Sequence, residues 1–214
     1  MKFLILKGSP RAEGNTGSLV KEFTDRLEQL SAVEELSREE FDLYNMDIKP
    51  CRACRMCQRD RQKPDCVIND DMQILFSKIL EADVIVLATP IYSWYASPPM
   101  KALLDRCVYA LNKYYGSPAE DKREDGCEGS RDRGPSIWRG KQLALITTCG
   151  YEPSKGADLL DEGLRRYCKH SGLIYRGMLA ERDPGYDKEF MDCDKAMRAR
   201  DFCDILVQQR GNKE

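Results

Sequence analysis

Two stretches carry residues whose types and spacing suit chemistry. The first, KGSPRAEGNTGSL from Lys7 to Leu19, sets glycine, hydroxyl, amide and guanidinium groups between an apolar run and an amphipathic one. A strand-to-helix turn of small residues presents backbone N–H groups and the positive end of a helix to an anion. Ser9, Thr16 and Ser18 add hydroxyls, Asn15 an amide and Arg11 a mobile positive charge, and together they read as a phosphate cradle. No Gly-Lys-Ser/Thr follows and no GxGxxG is present, so a phosphate monoester suits the loop better than a triphosphate or a dinucleotide. The plainer reading is a polar connection ahead of a capped helix. The second stretch, CRACRMCQRDRQKPDC, spaces Cys51, Cys54, Cys57 and Cys66 as Cys-x2-Cys-x2-Cys-x8-Cys. Three cysteines at steps of three with a remote fourth suit a 4Fe–4S cubane, and Arg52, Arg55, Arg59 and Arg61 would offset its negative charge. Structural zinc prefers two separate Cys-x2-Cys hooks. A metal-free, cysteine-bearing loop is the other reading of the same residues.

The elements that must position these residues follow from periodicity. KFLILK (2–7) reads as a buried strand, and Leu19, Val20, Phe23, Leu27 and Leu30 form a helical stripe from Thr16 onward. A weaker strand is expected within 33–44, and Asn69-Asp70-Asp71 as the cap of a helix bearing Met72, Leu75, Ile79 and Leu80. ADVIVLATP is the clearest strand, a continuous apolar run of the kind covered on both faces in parallel sheets. Ser97-Pro98-Pro99 opens the next helix, with Ser97 as its cap. Residues 116–139 are polar, charged and glycine-bearing, which predicts a surface insertion. A strand at 141–148, a helix at 157–171, a strand at 173–180 and a helix at 190–208 complete the alternation. His170, the single histidine, falls in the last turn of its helix, where a charge suits the helix terminus better than catalysis.

Strands alternating with helices predict an α/β fold, a flavodoxin-like doubly wound five-stranded parallel sheet with helices on both faces. One such domain is expected over 1–214, with a cysteine-rich loop at 50–67 and the insertion at 116–139. Ligands of such sheets bind beyond the C-terminal strand ends at the topological switch point, which directs attention to loops 8–16, 90–97 and 148–154. A net charge of −2 argues against nucleic acid or anionic membrane as a partner. No apolar run approaches the roughly 20 residues that span a bilayer. MKFLILKGSP reads as a first strand and not a signal peptide, so a cytoplasmic protein is expected. Ten cysteines in a reducing compartment read as free thiols, and the six outside the cysteine loop mostly as small core residues.

Two flavodoxin-like alternatives lack their essential residue. A phospho-receiver domain needs acidic residues at the strand ends, where this chain has Lys7-Gly8 and Thr89-Pro90. A low-molecular-weight tyrosine phosphatase needs a cysteine in the first loop, and none stands there. GSPRAEGNT, TPIYSWYASPPMKALLDR, CVINDDM and EGLRRYCKHSGLIYRGMLA, in this order and spacing, resemble instead the NAD(P)H-dependent FMN reductase family, especially its iron–sulfur flavoprotein branch.

The resemblance implies FMN at the switch point. Its phosphate would lie on Ser9, Arg11, Asn15 and Thr16. Its ribityl chain and ring would run along Pro90, Ile91, Tyr92, Ser93 and Trp94, and the ring would meet Thr148, Cys149, Gly150 and Tyr151. Tyr92, Trp94 and Tyr95 would wall the flat slot that a flavin needs. The implied chemistry is hydride transfer from NAD(P)H to FMN and onward to a quinone, flavin or other small-molecule or protein acceptor. No catalytic acid or base is required, because the flavin carries the reaction. Cys51, Cys54, Cys57 and Cys66 would be the metal ligands if the loop holds a 4Fe–4S cluster, and the protein would then pass single electrons between redox partners. The loop departs from the cluster-binding branch by a longer gap before its fourth cysteine. The resemblance further implies a homodimer or homotetramer.

Overall fold

The first strand, β1 (Lys2–Lys7), buries Phe3, Leu4, Ile5 and Leu6 completely, the burial of a central parallel strand. The computed structural model describes residues 1–114, 133–185 and 188–208. Its main sheet has the order β2-β1-β3-β6-β7, every neighbouring pair parallel, with β2 at Ser37–Asp42, β3 at Val84–Pro90, β6 at Gln142–Cys149 and β7 at Ile174–Arg182. The α/β reading with five parallel strands is therefore correct. The chain steps from β1 outward to β2 and then returns to the far side of β1 as β3, so the switch point lies between the C-terminal ends of β1 and β3.

Each face of the sheet is covered by its own core. The helices α1 (Asn15–Ser31) and α6 (Cys193–Gln208) cover one face, where Phe23 packs against Phe3 and Phe202 with ring centroids 6.3 Å away in each case. The helices α2 (Met72–Glu81), α3 (Pro98–Ala110) and α5 (Asp158–Ser171) cover the other, around Phe76, Met100, Leu103 and Leu164. The α5 helix stops at Gly172, whose φ of 68° closes the C-terminus in the left-handed region.

Several boundaries depart from the sequence reading. The fifth sheet strand runs to Arg182 and not Ala180, because its ladder with β6 continues through Thr148↔Glu181 and Cys149↔Arg182. The last helix begins at Cys193 and not Phe190, because Asp192 accepts the Lys195 N–H at 2.7 Å and so caps it. A short helix, α4 (Pro153–Gly156), precedes α5. The side chain of Ser97 makes no cap bond; its backbone N–H donates instead to Thr89 Oγ1 at 3.0 Å.

The expected insertion 116–139 lies mostly outside the described residues. Its described end is not a surface excursion. Strands β4 (Asn112–Tyr114) and β5 (Arg133–Ser136) pair antiparallel at its base, and Trp138 is buried, donating to Asn112 Oδ1 at 3.0 Å.

Candidate functional site

The loop from Gly8 to Gly14 joins β1 to α1, and its conformation leaves backbone donors free. Gly14 occupies the cap position of α1 with no side-chain cap bond, and no acidic residue lies in the first turn. The backbone bond that opens the helix runs from Ser18 N–H to Gly14 O at 2.9 Å. Among the described residues the N–H groups of Asn15, Thr16 and Gly17 therefore have no backbone acceptor, the arrangement that receives an anion. Gly17 is required sterically, since a Cβ there would lie 1.9 Å from the Ala12 carbonyl oxygen. Gly8 is required as well, because a Cβ there would lie 2.8 Å from Ser97 Oγ, on the neighbouring loop.

Thr16 links this loop to the end of β6. It is buried, and its Oγ1 lies 2.7 Å from Thr148 Oγ1. The loop after β3 is tied to the same strand by the Ile91 N–H, which donates to Thr148 O at 2.8 Å. Ser9, Arg11, Asn15, Thr16, Pro90, Ile91, Tyr92, Thr148, Cys149 and Gly150 consequently line one open cleft, joined there by Asp183 just after β7. Ser93, Trp94 and Tyr151 line an adjoining, more apolar hollow, which shares Ile91, Cys149 and Gly150 with the first. Apart from Tyr95, the residues expected along the three loops thus fall on one continuous surface with a polar end and an aromatic end.

The aromatic end is shaped by a strained turn. Tyr92 and Tyr95 exchange backbone hydrogen bonds of 2.9 Å in both directions, and Ser93 and Trp94 between them have φ of 51° and 60°. Two positive φ values at the centre of a two-residue hairpin define a type I′ turn, where glycine and asparagine are usual. The turn presents the Trp94 indole parallel to the Tyr151 ring, at 5.9 Å between centroids and 15° between planes. Trp94 Nε1 donates to Lys155 O at 3.2 Å, which anchors the indole to α4. Tyr95 departs from the expected slot wall. Its ring sits beneath the Lys101 ammonium at 5.9 Å and faces Gly163 of α5, because the turn sends its side chain away from Trp94.

Cys149 is buried, and its thiol donates to Tyr151 O at 3.2 Å. Burial pushes this thiol above its ordinary pKa, so it stands in the cleft as a neutral donor and not as a thiolate. Burial likewise pushes Cys168 and Cys203 up to about 12, as expected of core residues. Cys193 is exposed, against the expectation of a core position, and Cys127 lies outside the described residues.

The cysteine loop is held from beneath by buried cations that the sequence reading missed. Arg106 on α3 and Asp70 form an ion pair of 2.7 Å with side chains 1% and 0% exposed. Arg106 also donates to Lys49 O at 2.9 Å, at the entrance to the loop. Lys113, fully buried, donates from Nζ to Cys57 O at 2.8 Å and to Lys63 O at 2.9 Å. No signal in the sequence marks them, since Arg106 follows Asp105 and Lys113 follows Asn112 as an ordinary polar pair would. Of the four cysteines, Cys57 is buried, Cys51 and Cys66 are half-buried and Cys54 is exposed. Among the described residues no group of three or more His, Cys, Asp and Glu side chains is placed to hold a metal ion. The thiols as arranged do not form a cluster's ligand set.

Comparison with known proteins agrees with the geometry of the cleft. A family model for NADPH-dependent FMN reductase matches residues 1–175. The chain is 37% identical over 106 residues to an iron–sulfur flavoprotein of Methanocaldococcus jannaschii, covering 50% of this chain and 51% of that protein. It is 30% identical over 139 residues to the iron–sulfur flavoprotein of Methanosarcina thermophila, covering 63% of this chain and 66% of that protein. The chain thus spans about half the length of the first relative and less than two thirds of the second. The fold superimposes on an NAD(P)H:quinone oxidoreductase from Methanothermobacter marburgensis with a TM-score of 0.66 at 18% identity, over 96% of this chain and 98% of that one. A likeness of that kind speaks for the fold, and the family match speaks for the lineage: the chain belongs to the NADPH-dependent FMN reductase family.

Proposed function

We propose that the protein is an FMN-dependent oxidoreductase that passes electrons from NAD(P)H to a quinone, flavin or other acceptor. The observation that carries this reading is the two-ended cleft at the switch point, with uncapped N–H groups of α1 at one end and the Trp94–Tyr151 pair at the other. The residues fit FMN. Thr16, Asn15 and Arg11 would hold the phosphate, and Ile91, Trp94, Gly150 and Tyr151 would border the ring. Bound FMN supplies the hydride chemistry; the chain's own part is to orient the ring, keep water from its buried face and leave the other face open. The exposed rings of Tyr92, Trp94 and Tyr151 support an open side large enough for a planar reactant. Purified protein should carry FMN near one per chain and oxidise NADH or NADPH with a quinone acceptor. A chain that takes up no FMN on reconstitution would overturn the reading.

A second reading is a one-electron carrier of the iron–sulfur flavoprotein kind. It is supported by the Cys51, Cys54, Cys57, Cys66 spacing and by what the two curated relatives are called. The arrangement of the side chains among the described residues does not support it. Iron and acid-labile sulfide measured on anaerobically purified protein decide between the two. Four of each per chain, as a cubane requires, would favour the carrier.

A further inference from the structure

Among the described residues that line the cleft, one is acidic. Asp183 follows β7 directly, and its N–H donates to Cys149 O at 2.8 Å, continuing the β6–β7 ladder past the strand end. Its position on the rim is therefore set by the sheet and not by a free loop. The side chain is also fixed: Oδ1 accepts the Gly185 N–H at 2.9 Å in an Asx turn, with Gly185 at a φ of 102°. Oδ2 has no partner among the described residues. Asp183 and Arg11 line the same cleft, yet no ion pair joins them. Carboxylate and guanidinium thus stand ready at separate places in one cavity, each to meet a ligand.

A ligand that satisfies both carries an anion at one end and hydroxyl donors beside it. A polyol phosphate monoester meets these conditions.

We propose that Asp183 is a ligand-positioning residue, which accepts hydrogen bonds from the polyol hydroxyls of a bound phosphate monoester. The proposal rests on the flavin reading above and adds to it the group that orients the polyol chain.

Fluorescence-quenching titrations with FMN, riboflavin and lumiflavin test this on the wild type, D183A, D183N and T16A. Loss of a charged hydrogen-bond acceptor should weaken FMN and riboflavin alike by about tenfold or more in D183A. Lumiflavin, which has no hydroxyl chain, should bind as before. In D183N, whose amide oxygen still accepts a hydrogen bond, the loss should be smaller. The proposal is overturned if D183A leaves FMN unchanged, if lumiflavin weakens as much as FMN, or if D183N loses as much as D183A. T16A separates this from the underlying reading, since it should weaken FMN more than riboflavin. An intact T16A effect beside a silent D183A sinks the role of Asp183 alone. Flavin that binds none of the proteins sinks both.

Discussion

Asp70 illustrates how a single residue is committed by its surroundings. Burial alone would raise its carboxyl, but the bonds from Arg106 and from the backbone N–H groups of Lys49 and Met72 outweigh burial and hold it below the usual 3.8. A folded value below the unfolded one means that the stabilisation is complete above 3.8 and fades as pH falls through the folded value. Asp70→Asn leaves Arg106 buried without its counter-charge, which should cost about 3–5 kcal/mol. The unfolding free energy from urea titration at neutral pH should drop by that amount, and the difference from wild type should shrink at pH values well below 3.8. A variant that unfolds at the wild-type midpoint would mean the pair contributes nothing net. In the cleft, lost donors to a charged group contribute about 1.5–3 kcal/mol each. Asn15→Ala and Thr16→Ala should therefore each weaken FMN by about tenfold or more, as read by equilibrium dialysis. Unchanged affinity would put the phosphate elsewhere.

At the scale of elements, strain and close approach shape the site. Ser93 and Trp94 occupy left-handed backbone that costs a non-glycine residue about 1–2 kcal/mol each. Ser93→Gly should relieve part of this and raise the unfolding midpoint by an amount worth about 1 kcal/mol, with the Trp94 ring left in place. A midpoint that falls would show that the serine is stabilised by something other than the turn. Gly17→Ala works in the opposite direction. Its Cβ would have to displace the Ala12 carbonyl from 1.9 Å, so the loop must open and the uncapped N–H groups of α1 lose their convergence. Flavin uptake by this variant should fail while far-ultraviolet dichroism stays native. Normal uptake would show that the loop tolerates rearrangement.

For the whole molecule, a ligand that binds only the folded state stabilises it by mass action. FMN at a hundred times its dissociation constant adds about 2.7 kcal/mol. For a chain of this length, each kcal/mol moves the midpoint by roughly 2–4 °C. FMN should therefore raise the thermal midpoint by roughly 5–11 °C. Riboflavin, lacking the phosphate, should raise it less at the same concentration. A scan unmoved by FMN would remove flavin from this fold. Among the described residues no helix is long and apolar enough to cross a membrane.

The sequence by itself determined the alternation of strands and helices, the five parallel strands and the three loops that meet at the switch point. These are consequences of local periodicity: 3–6 and 84–88 are unbroken apolar runs, and residues 15–17 are small or polar where a helix begins. Only the tertiary structure decided what joins those loops and what lies under them. Packing alone places Arg106 and Lys113 in the core beneath the cysteine loop, because a buried cation has no signature in periodicity. Tyr95 and Trp94 are equivalent aromatics in the sequence, and the type I′ turn between Tyr92 and Tyr95 sends them to different neighbours. Asp183 enters the cleft only because the β7 ladder runs two residues beyond Ala180. Strand ends are set by pairing with a distant strand, and no local pattern reports that pairing.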